Sequence, residues 1–461
     1  MKLDTGDTAW LLTATALVLL MTPGLAFFYG GMTRAKSVLN MMMMSFGSIG
    51  LVTILWFAYG YSLSFDDDAF GGLVGGLHKV FLKGTLESVS AGTPELVFSA
   101  FQLMFAIITV ALISGAIADR AKFGAWMVFA GVWATVVYFP VAHWVFAFNA
   151  VDDKGNIVSH GGWVANKLLA FDFAGGTAVH INAGAAGLAL ALVLGKRKGW
   201  PRENFKPHNL PFVLLGAGLL WFGWFGFNAG SAVHANALSA VAFMNTQIAT
   251  AAALCAWLIV EKIRDKHATT LGAASGAVAG LVAITPACGS VNPFGALIVG
   301  LAGGAVCALA VGIKYRLGFD DSLDVVGVHM VGGLLGALII GLLCTHTVTG
   351  TVALGDPKLG VDGLFYGGGL SQLGKQAVAA FSVMIYSFVL TYIIGFIIEK
   401  TMGFRVDEEI EMEGIDTGVH AESAYDFVSG SSIRSSVTTG AAAPAGVNDQ
   451  SAREATPAGK E

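Results

Sequence analysis

Apolar positions in this chain neither alternate nor keep to one helical face. They run on without charge for twenty residues or more. Stretches near 9–29, 38–62, 96–118, 124–147 and 173–195 can each cross about 30 Å of hydrocarbon as a helix, which takes about 20 residues. From Pro211 to Val260 no Lys, Arg, Asp or Glu occurs. One helix of that length would reach about 75 Å at ~1.5 Å per residue, so the run is expected to fold back near Ser231–Ala237. The run from His267 to Ile313 is read the same way, broken at Thr285-Pro286-Ala287-Cys288-Gly289 and Asn292-Pro293, because proline cannot continue a helix. Two more spans, near 324–346 and 374–398, bring the expected total to eleven. The first segment, Ala9–Tyr29, has the length of a secretory leader, but Asp4 and Asp7 stand where a basic flank belongs and no small-residue cleavage site follows. It is therefore kept as a span.

Composition agrees with an all-α membrane protein. Hydrophobic residues make up 55% and charged ones 12%, with a mean hydropathy of +0.69; soluble domains carry about 25% charge. A net charge of −5 without any Lys/Arg-rich block excludes nucleic acid as a partner. Cys255, Cys288, Cys307 and Cys344 lie in apolar stretches without C-x-x-C spacing and read as packing residues. Charge also orients the spans. Basic residues fill every second loop, with Arg34 and Lys36, Arg120 and Lys122, Lys196 to Lys206, Lys262 to Lys266, and Lys314 with Arg316, which marks those loops as cytoplasmic. With eleven spans the N-terminus is then outside and the C-terminus cytoplasmic. Residues 1–400 form the transmembrane domain, 401–428 a mixed-charge cytoplasmic tail, and 429–461 a Ser/Thr/Ala/Gly/Pro-rich tail expected to be disordered.

Within the spans, Val179-His180 is followed by Gly184 and Gly187, and Val328-His329 by Gly333 and Gly336, so H-x3-G-x2-G occurs twice. Five spans separate the copies, which predicts an inverted repeat with halves about 9–195 and 211–346 plus a final helix, and a substrate path near mid-membrane between the halves. Asp172 and Asp324 stand ahead of the two histidines, where carboxylates cap helix N-termini. Ionisable side chains at such depth are costly, and each histidine is the other's candidate partner. Two adjacent imidazoles do not both hold charge cheaply, so a neutral pair or a pair sharing one proton is expected. The run from Trp221 to Ser231 is either an interfacial aromatic belt or a cation–π collar closed by a serine, and Phe101, Gln102 and Phe105 lie at similar depth. His143 and His234 fall near the span ends, away from the pair, which argues against a haem cage. No enzyme activity, metal or cofactor is expected.

Several segments resemble the ammonium transporter family, bacterial Amt type: Asp172 to Asn182 running on to Gly195-Lys196-Arg197, Phe227-Asn228-Ala229-Gly230-Ser231, Thr285 to Gly289, Asp324 to His329, and Phe27-Phe28-Tyr29-Gly30-Gly31. They occur in the family's order from the first helix to the tail. The resemblance implies a cell-membrane homotrimer of eleven-helix protomers, each with its own ammonium/ammonia pore. It implies His180 and His329 as the twin pore histidines, Phe105 and Phe227 as a stacked phenyl gate, Ser231 as part of an outer recruitment site, and Asp172 as the aspartate beneath it. Relatives place a tryptophan at the outer site where this chain has Phe146, and Trp163 follows in a longer loop, so either ring could complete the collar. The segment from Gly403 to Tyr425 is similar to the family's tail, which couples subunits and receives a PII-type signal protein. A sensor that reports ammonium through its tail with little flux is the alternative.

Overall fold

The computed structural model describes residues 3–425 apart from 153 and 204. The tail expected to be disordered, 429–461, lies outside the described residues. Among the described residues, ten helices are long and apolar enough to cross a membrane: α1 Thr5–Met32, α2 Val38–Phe65, α3 Glu95–Ile117, α4 Phe123–Phe146, α5 Gly176–Leu194, α6 Leu210–Gly230, α7 Ala237–Asp265, α9 Pro293–Leu317, α10 Val326–Leu343 and α11 Ser371–Thr401. The remaining expected span is the shorter α8, Thr270–Ile284, of 15 residues. At ~1.5 Å per residue it covers about 22 Å. Pro286 stops it, and residues 285–290 continue as buried turns. Non-helical backbone at that depth is tolerated where protein covers it, and here Ala287, Cys288 and Val291 are fully buried.

The two expected fold-backs have local causes. Asn236 caps α7 by accepting from the Leu238 and Ser239 amides, with the Ser239 side chain closing a reciprocal box. Asn292 accepts from Gly295 N at the head of α9, where Pro293 supplies a preset first residue. Glycines let the central pair α1 and α6 touch along their length. A Cβ at Gly216 would lie 2.3 Å from Phe28 N, and one at Gly226 2.5 Å from Leu17 Cβ. Small residues are how helices approach when lipid and side chain are equally apolar.

All five basic loops lie at the same end as the tail. Arg34 donates to the Glu411 carbonyl, Lys122 N to Phe404 O, Val406 N to Arg120 O, and Lys198 N to Glu411 Oε1. Lys36 donates to Met412 O. Arg264 reaches Ala308 O near the same end of α9, and Lys314 pairs with Asp324. These loops are not a free basic surface. Arg197 bridges Asp119 (3.2 Å) and Asp320 (2.9 Å), and Arg34 reaches Asp119 (3.5 Å). Arg120, fully buried, donates to Asp320 O and Ser322 Oγ. Burial brings its guanidinium down to about 10, against the pull of Asp320. A short helix α12, Glu408–Glu413, carries the buried Glu411, which binds Arg405 at 2.7 Å, while Asp416 accepts from the Leu39 and Asn40 amides at the head of α2.

Candidate functional site

His180 and His329 begin the two interior helices in the same way. Each sits in a π-helical turn, Gly176–Ile181 or Val326–Met330, and each turn runs into a 13-residue α-helix. Such turns recur at functional sites because they redirect side chains. Asp172 anchors the first. Its Oδ1 accepts from Gly175 N (3.0 Å) and Gly176 N (2.6 Å), and its Oδ2 from Thr177 N (2.8 Å) and Ala178 N (3.1 Å). Gly175 makes this possible at φ +104°, a region that side chains disfavour.

The second anchor corrects the sequence reading. It is Asp321, which accepts from Val325 N (3.1 Å) and Val326 N (2.7 Å). Asp324 instead has φ +63° and pairs with Lys314 at 2.7 Å. Asp321 precedes His329 by the same eight positions that separate Asp172 from His180. That equal spacing was the available signal, and choosing the nearest aspartate to His329 missed it.

The shared glycines bring the turns together. A Cβ at Gly184 would lie 2.4 Å from Met330 N, and one at Gly333 would lie 2.9 Å from Gly176 O and 3.1 Å from His180 Cβ. Each histidine's fourth-next glycine therefore receives the other repeat's turn. The imidazoles meet Nδ1 to Nδ1 at 3.2 Å with planes 19° apart, at 1% and 3% exposure. His180 also lies against Trp224 (5.3 Å, 17°), whose indole N–H donates to Thr285. Trp224 was passed over in the sequence as one of many aromatics, although it stands three residues before Phe227, on the same helix face.

The pair borders a narrow cavity otherwise lined by apolar side chains, among them Met21, Leu25, Ile108, Leu112 and Leu220. Phe227 closes one end. It stacks on Phe105 at 4.2 Å and 28°, and Phe146 meets Phe105 edge-on at 6.3 Å. Ser231 sits at the end of α6 and donates to Phe227 O (2.8 Å), leaving its oxygen as an acceptor. Trp163 packs instead on Trp144 (5.8 Å), and its backbone N–H donates to Gly72 O.

A buried histidine pair beside an apolar cavity, behind two stacked phenyl rings, is the arrangement that comparison with known proteins bears on. The Ammonium Transporter Family model matches residues 9–425. The chain belongs to the ammonium transporter family. It is 60% identical to the ammonium transporter of Mycobacterium tuberculosis strain H37Rv over 94% of each chain, and 45% identical to that of Bacillus subtilis over 91% of this chain and 98% of that one. Among solved structures, Saccharomyces cerevisiae Mep2 aligns with a TM-score of 0.80 and 33% identity over 89% of each chain, and a sensor Amt protein with 0.79 and 27% over 90% and 98%. The ammonium transporter is thus a multi-pass protein of the cell membrane, of bacterial type, in a family of transporters and not of enzymes.

Proposed function

We propose that this ammonium transporter recruits ammonium at a collar formed by Phe105, Phe146 and Ser231, where it gives up its proton, and conducts ammonia past Phe227 and the His180–His329 pair, which relays the released proton separately to the other side. The observation that carries the reading is the Nδ1–Nδ1 contact of two buried imidazoles inside an otherwise apolar cavity. One shared proton fixes opposite tautomers: one ring turns an Nε2–H donor outward and the other a bare Nε2 acceptor. Ammonia, donor and acceptor at once, matches that pair. An intact cation does not fit so well. Reaching mid-membrane costs a cation roughly 2.5–3.5 kcal/mol on insertion scales. The phenyl rings return about 0.5–2 kcal/mol and a serine hydrogen bond about 1. Those terms hold ammonium at the mouth and leave little for the dry passage. Sodium and potassium have no proton to shed, so this route excludes them.

Around this pore the reading takes an eleven-helix protomer in which α8 counts as a span, a five-plus-five inverted repeat, an outer N-terminus and a cytoplasmic tail, assembled as a homotrimer. The matched π-turns, the reciprocal glycines and the equal aspartate spacing support the repeat. Asp172 serves as the fixed anchor of the His180 turn, and Phe146, nearer to Phe105, is preferred to Trp163 for the collar. The segment 401–420, docked on the basic loops and the head of α2, suits regulation, with a PII-type protein as the partner. Likeness to a sensor Amt protein and the close docking of that segment favour sensing as a second role.

The test is ammonium-evoked current and vesicle alkalinisation in proteoliposomes. Replacing both His180 and His329 by Ala should abolish the current; an undiminished current in that double variant ends the relay reading. Removing residues after 405 separates transport from sensing, because a transporter keeps its flux and a pure sensor never had one.

A further inference from the structure

Ser231 stands where α6 ends, and the first turns of α1 hold that end in place. Asp7, Trp10 and Ala14 lie along one face of α1, and each meets the end of α6 or the chain just beyond it. A Cβ at Gly230 would lie 2.6 Å from Ala14 Cβ, and the Trp10 indole N–H donates to Ala229 O at 3.4 Å. Asp7 receives the turn that follows: its Oδ2 accepts from His234 Nδ1 (2.7 Å) and its Oδ1 from Ala235 N (2.8 Å). Asp7 is itself fixed, because its amide donates to Asp4 Oδ1 at 2.9 Å and Asp4 N donates to Gly92 O. Between these clamps α6 unwinds through Ser231, Ala232 and Val233, whose amides donate three residues back to Asn228, Ala229 and Gly230. Val233 ends the unwinding at φ +61°, a left-handed backbone that β-branched residues rarely adopt. Such a conformation persists only where its surroundings over-determine it. Here the two bonds from Asp7 secure the next two residues, and the Asn236 cap of α7 follows them.

We propose that Asp7 is a positioning residue of the outer recruitment site: by holding His234 and Ala235 it keeps Val233 left-handed and so sets the place of Ser231, two residues earlier. The inference rests on the collar of Phe105, Phe146 and Ser231. Ser231 Oγ donates to Phe227 O at 2.8 Å, so the direction of its remaining lone pairs follows the backbone at 231. Release of Val233 turns that oxygen away from the collar. Ammonium is then held less tightly at the mouth, while the passage behind Phe227 stays as it was.

The test is current against ammonium concentration for the full-length protein in proteoliposomes. Asp7→Ala should raise the half-saturating concentration about three- to tenfold, the worth of one serine hydrogen bond, with the maximal current little changed. Asp7→Asn should stay close to the parent, because its oxygen still accepts from Ala235 N and its amide N–H can meet a bare His234 Nδ1. Val233→Gly takes the left-handed backbone without strain, so adding Asp7→Ala to that variant should move the half-saturating concentration little. Ser231→Ala separates this inference from the reading beneath it. If Ser231→Ala leaves half-saturation unchanged, the collar fails and the positioning role with it; if Ser231→Ala raises it and Asp7→Ala does not, the positioning role alone fails. An Asp7→Asn value as high as that of Asp7→Ala also overturns the proposal, since the carboxylate would then draw the cation by its charge. So does an undiminished effect of Asp7→Ala in the Val233→Gly background, or a fall in maximal current with half-saturation unmoved, which would make Asp7 a residue of stability only.

Discussion

Placing a single methyl group at Gly184 should open the histidine pair. An alanine Cβ there falls 2.4 Å from Met330 N, 2.6 Å from Met330 Cβ and 2.7 Å from Met330 Cα. Ordinary contact begins at 3.4 Å, so α5 and the Val326–Met330 turn must part by about 1 Å, and the obstacle is backbone that cannot rotate aside. Met330 follows His329 directly, so the displacement passes into the 3.2 Å Nδ1–Nδ1 contact and carries it beyond hydrogen-bond reach. Overpacking of this kind costs about 1–3 kcal/mol, and the lost hydrogen bond about 1 more. A shift of about 1 Å in a positioned group can lower a rate about 100-fold. Gly333→Ala meets Gly176 O at 2.9 Å and His180 Cβ at 3.1 Å and should be milder. Gly50→Ala, with nothing within 4 Å, should be silent in transport. Ammonium flux in proteoliposomes and thermal unfolding in detergent, measured on all three, should fall in the order Gly184, Gly333, Gly50. Flux within twofold of the parent for Gly184→Ala, or a Gly50→Ala loss of equal size, would refute the reasoning.

The two aromatic candidates separate by affinity: Phe146→Ala should raise the half-saturating ammonium concentration about two- to fivefold, the worth of ~0.5–1 kcal/mol of cation–π attraction, and Trp163→Ala should leave it unchanged, as read from current against concentration. Burial holds the Asp321 carboxyl up at about 6, with Lys314 opposing and Asp324 adding to the rise. A carboxyl that is easier to protonate when folded adds stability that is full below its unfolded value near 3.8 and is lost as pH rises through about 6. The melting temperature of the parent relative to Asp321→Asn should therefore climb as pH falls from 7 to 4, by the equivalent of at most about 3 kcal/mol; a gap that stays constant or shrinks would contradict it. Glu411→Ala removes the buried carboxylate that holds the partly exposed Arg405 and Lys198 N, a loss of about 1.5–3 kcal/mol for hydrogen bonds to a charged group, so limited proteolysis should cut after Met402 faster than in the parent.

What the sequence made legible was what depends on run length and type. Charge-free stretches must become helices in hydrocarbon, and the breaks at residues 231–236 and 285–292 fall where Asn caps and prolines stand. The H-x3-G spacing was legible as well, because a glycine four residues on lies one turn along the same face and is there for the opposite backbone. Less visible was anything that depends on which side chain turns inward. Arg34, Arg120 and Arg197 counted correctly as marks of one membrane face, yet the same residues are partners of the buried Asp119 and Asp320, a role that positive charge in a loop does not announce. Asp321 shows the same limit from the other direction. Sequence proximity favoured Asp324, but a left-handed backbone turns Asp324 out to Lys314 and leaves Asp321 to receive the amides. The offset of eight residues is what both halves share, since it spans the loop that lets a carboxylate reach the first amides of a π-turned helix. The anchoring aspartate belongs to the repeat as firmly as the histidine does, and a substitution at Asp321 should disturb His329 as one at Asp172 disturbs His180.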